Sequence, residues 1–123
     1  MKIYIAIGSI FGGLAVLLGA FGAHSLKAVL SEKSLATFIT ATQYMMYHAL
    51  ALLTIGVLSL QEEHKNKVKT PAKFFLAGIL LFSGSLYILA FGGPKFFGPI
   101  TPLGGLCFMI GWFSLATAFF KKT

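Results

Sequence analysis

Hydrophobic residues fill four long stretches of this chain, and polar residues are largely confined to the connections between them. The apolar stretches run approximately over residues 3–23, 35–60, 74–92 and 103–120. Because the hydrocarbon core of a bilayer takes about 20 helical residues, each stretch is long enough to cross a membrane. The pattern therefore predicts an all-α, integral membrane four-helix bundle, with residues 1–123 forming a single domain.

The composition supports a membrane protein. Of the 123 residues, 57% are hydrophobic and only 11% are charged, and the mean hydropathy is +0.86. A soluble domain of this size carries far more charge on its surface. We therefore expect the lipid bilayer to be the main partner of the chain.

The formal net charge of +7 bears on orientation in the membrane rather than on nucleic-acid binding. All ten basic residues are lysines at the segment ends and in the loops, and four spans place seven of them on the side of both termini. By the positive-inside rule, this bias predicts a cell-membrane protein with its N-terminus and C-terminus in the cytoplasm. The lysines are then placed to meet anionic lipid, and no nucleic-acid partner is expected. The seven are Lys2, Lys65, Lys67, Lys69, Lys73, Lys121 and Lys122, and the other three are Lys27, Lys33 and Lys95.

Small residues recur along each segment at a spacing that suits close helix packing. Lipid gives helices no hydrophobic reason to associate, so small residues that let two backbones approach mark the helix interfaces. Heptad spacing of these residues predicts left-handed, nearly antiparallel packing. The predicted packing residues are Gly8, Gly12, Ala15, Gly19, Gly22, Ala49, Gly56, Gly78, Ser85, Gly104 and Gly111.

The second segment carries polar residues where leucine would be expected. Tyr44, Tyr47 and His48 share one helical face, and His48 lies near the expected middle of the membrane. A polar group at that depth is costly unless it is hydrogen bonded. We therefore expect a neutral His48 that faces protein and bonds to a backbone carbonyl, a serine or a tyrosine hydroxyl.

Two interpretations of this polar stretch remain open. In the first, His48 is a hydrogen-bonding link between helices. In the second, it lines a polar cavity that binds a ligand or relays protons, since titratable groups inside membranes are commonly functional. The candidate cavity or ligand-binding residues are His24, Gln43, Tyr44, Tyr47, His48 and Thr101.

The second segment also has two opposed faces that both favour protein over lipid. One face carries the polar residues, and the nearly opposite face carries Thr42, Ala49 and Gly56. Either the other three segments surround this helix, or one of its faces meets another subunit. On this ground the sequence predicts a homo-oligomer.

Enzymatic and metal chemistry have little support in the residues present. The acidic residues are Glu32, Glu62 and Glu63, all in loops, so paired carboxylates and the membrane-embedded carboxylate of proton-coupled transporters are missing. His24 is expected at the outer end of the first segment and His48 at mid-membrane, a poor match in depth for a shared metal or haem. We expect no enzymatic activity, no cofactor and no metal site.

Three stretches of sequence together resemble a known family. They are GAFGAHSLK (Gly19–Lys27), QYMMYHALAL (Gln43–Leu52) and ITPLGGLCFMIGW (Ile100–Trp112). With the length and the four-segment layout, they are similar to domain of unknown function 423, also called uncharacterised protein family 0382, the YgdD/YwdK-like small membrane proteins. The resemblance implies a multi-pass cell-membrane protein and carries no established activity. If the three motifs converge, they form an outward-facing cleft near His24 and Thr101, with His48 at its floor.

The sequence therefore predicts a small, non-enzymatic accessory or interaction protein, with an unidentified membrane protein as its partner. The alternative is a binding or conducting protein. A small solute, a lipid or a proton would then enter the outward-facing cleft and reach the polar residues of the second segment.

Overall fold

Four long helices make up a computed structural model that describes residues 2–120. They are α1 (Ile3–Leu26), α2 (Glu32–Leu58), α3 (Lys69–Ala90) and α4 (Ile100–Phe120). All four are long and apolar enough to span a membrane, and residues 2–120 contain no strand. The predicted all-α membrane fold is confirmed. Lys121 and Lys122, which belong to the predicted lysine bias, lie outside the described residues.

The helices extend beyond some of the predicted apolar stretches because their first turns are polar. Ser31 caps α2, its hydroxyl accepting a hydrogen bond from the Ser34 amide at 3.1 Å, and Glu32 follows in the first turn, where a negative charge is favourable. At the same end of the bundle, α3 stops at Ala90, and Gly92 follows with a φ of +80°, a conformation that favours glycine. A polar first turn with its N-cap and a glycine after the last turn therefore set these helix boundaries, and hydropathy alone does not locate them.

A π-helical turn interrupts both α1 and α3. These turns cover Leu18–Gly22 and Ile79–Ser83. A π turn adds one residue to the helix and changes the direction of the side chains near it. Ser83, at the end of the second π turn, donates a hydrogen bond from its hydroxyl to the Ala41 carbonyl oxygen of α2 at 2.7 Å. The irregular turn of α3 is thus fastened directly to α2.

The central element is α2, which packs against α1 on one side and against α3 on the other. Half of its most apolar 18-residue window is buried, against 11% of the corresponding window in α1. One chain therefore covers both the small-residue face and much of the polar face of α2. The conflict that motivated the homo-oligomer is resolved without a second copy, and oligomerisation stays a prediction.

The α1–α2 interface depends on two glycines that admit a facing backbone. An ideal Cβ on Gly8 would lie 2.8 Å from the Ala49 carbonyl oxygen, and one on Gly56 would lie 2.8 Å from the Ile5 amide nitrogen. Both distances are too short for a real Cβ, so a side chain would force the helices apart. By contrast, a Cβ on Gly12 would meet nothing within 4 Å, so no contact among residues 2–120 supports the packing role predicted for Gly12.

The other predicted packing residues lie at contacts of several kinds. In α3 and α4, Gly78 leaves room for the Phe108 ring, and Gly111 leaves room for the Phe75 ring. Gly104 faces the backbone of Phe82. Of the remainder, Ala15, Ala49 and Ser85 are buried, Gly19 lies opposite Thr42, and Gly22 lies opposite Phe38.

Candidate functional site

Both ring nitrogens of His48 are hydrogen bonded. The Trp112 indole nitrogen lies 3.0 Å from Nε2, and Nδ1 lies 2.7 Å from the Tyr44 carbonyl oxygen one turn earlier in α2. Since an indole N–H can only donate, Nε2 must accept, and the hydrogen on Nδ1 is donated to the carbonyl. His48 is therefore a neutral imidazole in a single tautomer. The expected backbone carbonyl is one of its partners, and Trp112 is a partner that sequence reasoning missed.

Aromatic rings enclose the imidazole. The Phe108 ring stacks on it, with centroids 3.5 Å apart and planes within 8°, and the Phe75 ring lies 5.5 Å away at 49°. His48 is only 4% exposed. Its contacts with α3 through Phe75 and with α4 through Phe108 and Trp112 make it a link among three helices. A ligand or metal ion would have to displace one of these partners to reach either nitrogen.

An open groove runs beside this buried link, between α2 and α4. Its cavity of about 420 Å³ is lined by Tyr44, Tyr47 and His48 from α2 and by Gly105, Phe108, Met109 and Trp112 from α4. Tyr44 is 38% exposed and Tyr47 is 52% exposed. We call this feature the α2–α4 groove. Because the groove opens on the outer surface of membrane-spanning helices, we expect it to face lipid or a neighbouring membrane helix.

The two tyrosine hydroxyls of the groove take no part in the hydrogen bonds found among residues 2–120. The 27-residue helix α2 has its midpoint at Met45, so Tyr44 and Tyr47 lie within about 3 Å of it along the axis. A hydroxyl without a partner in hydrocarbon is costly, because lipid tails can neither donate nor accept a hydrogen bond. The groove thus carries unsatisfied polar groups at the depth where a membrane offers none.

Other hydroxyls in the interior have partners within the chain. The Thr42 hydroxyl lies 2.6 Å from that of Tyr87, which joins α2 to α3. The Ser85 hydroxyl lies 2.5 Å from that of Thr101, which joins α3 to α4. Sequence reasoning missed Tyr87, although a tyrosine well inside an apolar segment is a signal that it needs a partner.

The predicted candidate residues do not all come together. Tyr44, Tyr47 and His48 are neighbours, whereas Gln43 is exposed beside a separate cavity of about 210 Å³ between α1 and α2. His24 is exposed at the end of α1, which packs on α2 rather than on α4. Thr101 is paired with Ser85 instead.

The predicted outward-facing cleft is therefore not formed within residues 2–120. The physical reason is that α1 packs on the Ala49–Gly56 face of α2, whereas His48 lies about 90° around the helix from that face and points toward α4. Within the same residues, no group of three or more His, Cys, Asp or Glu side chains is placed to hold a metal ion.

The amino-acid sequence matches a family of membrane proteins and several of its members. Residues 18–105 match the family described as "Protein of unknown function (DUF423)". The chain is similar to a UPF0382 membrane protein of Staphylococcus aureus, with 46% identity over 121 residues that cover 98% of each chain. It is also similar to the UPF0382 membrane protein YwdK of Bacillus subtilis, with 45% identity over 98% of each chain. A UPF0382 membrane protein of Haemophilus influenzae is 41% identical over 97% of this chain and 94% of its own. No solved structure showed a significant match.

Proposed function

This chain belongs to the DUF423 family of membrane proteins, and from that premise we propose that it is a non-enzymatic accessory protein that binds another membrane protein. The proposed partner is a transmembrane helix that carries a hydrogen-bonding side chain near mid-membrane. It lies in the α2–α4 groove, against Tyr44, Tyr47 and Trp112.

The observation that carries this proposal is the pair of unsatisfied hydroxyls in the groove. Tyr44 and Tyr47 are partly exposed within about 3 Å of the midpoint of α2, and lipid tails cannot satisfy their hydroxyls. A polar side chain on a neighbouring transmembrane helix can do so, and such bonds join membrane helices. Gly105, in the same groove wall, has no side chain to hold an incoming helix away.

A binding or conducting role centred on His48 is the alternative function. It has less support, because both imidazole nitrogens already have partners and the Phe108 ring covers one face. A relayed proton or a bound solute would have to break the bond from Trp112. Docking of a helix in the α2–α4 groove leaves that bond intact.

Site-specific crosslinking in living cells tests the proposal. A photoreactive phenylalanine derivative replaces Met109 in one variant and Leu80 in a control variant. Met109 lines the α2–α4 groove and is 52% exposed, and its replacement leaves both tyrosine hydroxyls in place. Leu80 is 60% exposed and lies near the middle of α3, so it samples lipid at a similar depth. We expect position 109 to give a discrete adduct with a membrane protein, and position 80 to give lipid adducts.

A second variant shows whether the hydroxyls recognise that protein. Tyr44→Phe/Tyr47→Phe removes only the two hydroxyls and retains both rings. With about 0.6 kcal/mol per interhelical hydrogen bond and at most about 1.7, losing two bonds should lower recovery of the partner on the order of tenfold. Unchanged recovery through the photoreactive residue at position 109, or lipid adducts alone at that position, contradicts the proposal. An adduct with a second copy of this chain would replace the accessory role with homo-oligomerisation.

The proposal also includes the location of the protein. We place it in the cell membrane with both termini in the cytoplasm. The support is the lysine bias, to which the connection between α2 and α3 contributes Lys65 and Lys67, and the first residue of α3 contributes Lys69.

A further inference from the structure

Another cavity, of about 410 Å³, lies where α3 begins and α4 ends. This is the end of the bundle where α1 also begins, and we place it in the cytoplasm under the proposed orientation. Its lining residues are Lys67, Thr70, Pro71, Ser114, Thr117 and Ala118. It is separate from the α2–α4 groove and shares no lining residue with it. We call it the α3–α4 end cavity.

Positive charge is concentrated around this cavity. Lys67 lines it, and Lys65, Lys69 and Lys73 are exposed within the same short stretch of chain. Residues 61–73 contain four lysines and only two acidic residues, Glu62 and Glu63. Glu63 lies 3.6 Å from His64, and Lys67 has no carboxylate within salt-bridge distance among residues 2–120. The ammonium group that lines the cavity is therefore available to an anion.

The loop that carries Lys67 is held in place by buried neighbours. Val68 is fully buried, and the His64 ring lies 5.0 Å from the Phe119 ring of α4. The Lys67 ammonium lies 5.4 Å from the centre of the same Phe119 ring, within the range of a cation–π contact. Fixing this lysine at the α4 end before any ligand arrives reduces the entropy lost on binding.

The cavity wall has the amphipathic character of a lipid near its headgroup. The Thr70 hydroxyl makes no hydrogen bond among residues 2–120, so it is free to donate to an anion. The Ser114 and Thr117 hydroxyls donate hydrogen bonds to carbonyl oxygens of their own helix, at 3.0 Å and 2.7 Å. Because these hydroxyls are already satisfied, an apolar acyl chain can lie beside them. Pro71 and Ala118 supply the apolar part of the wall. A soluble anion would make no use of that part.

We propose that the α3–α4 end cavity binds the phosphate headgroup of an anionic phospholipid, through the Lys67 ammonium and the Thr70 hydroxyl. Basic pockets between membrane helices at the cytoplasmic surface are suited to such headgroups. The other lysines of residues 61–73 strengthen binding by electrostatic attraction of the anionic headgroup. The site is independent of partner docking in the α2–α4 groove.

Native mass spectrometry of the purified full chain in a neutral detergent tests this inference. The protein is titrated with phosphatidylglycerol, and separately with phosphatidylcholine that has the same acyl chains. We expect phosphatidylglycerol to bind more tightly. Lys67→Gln should weaken that binding about fivefold, since one lysine near an anionic surface contributes about a factor of five. Phosphatidylcholine binding should not change.

Two further variants keep the test sharp. Lys95→Gln removes an exposed lysine from the opposite side of the membrane, and phosphatidylglycerol binding should not change. Thr70→Val keeps the side-chain shape and removes the hydroxyl, and it should weaken phosphatidylglycerol binding as Lys67→Gln does. Thermal unfolding followed by circular dichroism verifies that each variant is folded.

Three outcomes would overturn the inference. The first is equal binding of the two lipids. The second is an equal effect of Lys67→Gln and Lys95→Gln, which would indicate general charge attraction rather than a site. The third is full displacement of the lipid by millimolar glycerol phosphate, which would assign the cavity to a soluble phosphate compound.

Discussion

Removing the hydrogen bond between Trp112 and His48 should uncouple α4 from α2 by a measurable amount. Trp112→Phe retains an aromatic ring and removes the only indole N–H in the chain, leaving Nε2 of His48 without a donor. His48→Leu removes the acceptor and leaves the Trp112 N–H unpaired. The double variant lacks both groups, so the three variants and the wild-type protein form a double-mutant cycle.

The magnitude follows from the burial and the hydrogen bonds of His48. Interhelical hydrogen bonds in membrane proteins average about 0.6 kcal/mol, and the strongest reach about 1.7 kcal/mol. The Trp112 indole nitrogen lies 3.0 Å from Nε2 of His48, which is a normal hydrogen-bond length. Because His48 is 4% exposed, neither lipid nor water replaces the lost partner. We expect a coupling free energy of about 1 kcal/mol, above that average. His48→Leu should cost more in total, because it also removes the stacking on Phe108, about 0.5–1.5 kcal/mol.

The assay is reversible unfolding of the purified protein by sodium dodecyl sulfate in mixed micelles, followed by far-ultraviolet circular dichroism. Circular dichroism is needed because the single tryptophan is itself changed. A coupling below about 0.3 kcal/mol would mean that the bond does not link the helices. The interpretation of His48 as a structural link would then fail, and a functional role would regain support.

Three more outcomes test other parts of the structure. Gly8→Ala should destabilise the protein by about 1–3 kcal/mol in the same unfolding assay, because its Cβ would meet the α2 backbone. The control Gly12→Ala should cost less than about 0.5 kcal/mol, because its Cβ would meet nothing within 4 Å. Equal effects of the two substitutions would contradict the α1–α2 packing. Thr42→Val should cost about 0.6–1.7 kcal/mol, and the loss should vanish in a Tyr87→Phe background if the bond between these hydroxyls is the cause. In a variant whose native cysteine is serine, Asn66→Cys should react with a membrane-impermeant maleimide only after the cells are permeabilised, and reaction in intact cells would reverse the proposed orientation.

Much of the fold could be predicted because the bilayer imposes it. Helix number and approximate length follow from the apolar stretches, since backbone groups in lipid must be hydrogen bonded within their own helix. The burial of His48 and its bond to a backbone carbonyl could also be predicted from the cost of a polar group at mid-membrane. The Trp112 partner was missed, although a tryptophan deep in a span, away from the usual interfacial belt, is a signal that could have found it.

Which helix each face meets could not be predicted. In a soluble protein, the apolar stripe of a helix identifies its buried side, but α1, α3 and α4 are apolar all round, and lipid accepts any of their faces. The π turns in α1 and α3 add a second difficulty, because they shift the register of the residues that follow. His24 follows the π turn of α1, and the structure separates it from His48. Gln43 lies about 140° around α2 from His48, a separation that helical periodicity alone indicates.

The sequence by itself determined four membrane helices, the small residues that let them approach, and the need of His48 for partners. These properties depend on the local chain and on the thickness and polarity of the bilayer, which are the same whatever the arrangement of the helices. Only the tertiary structure decided that Trp112 satisfies His48, that Tyr87 satisfies Thr42, and that the Tyr44 and Tyr47 hydroxyls have no hydrogen-bond partner among residues 2–120. The reason is that each pairing depends on the rotation and depth of two helices at once, and hydropathy is nearly insensitive to both.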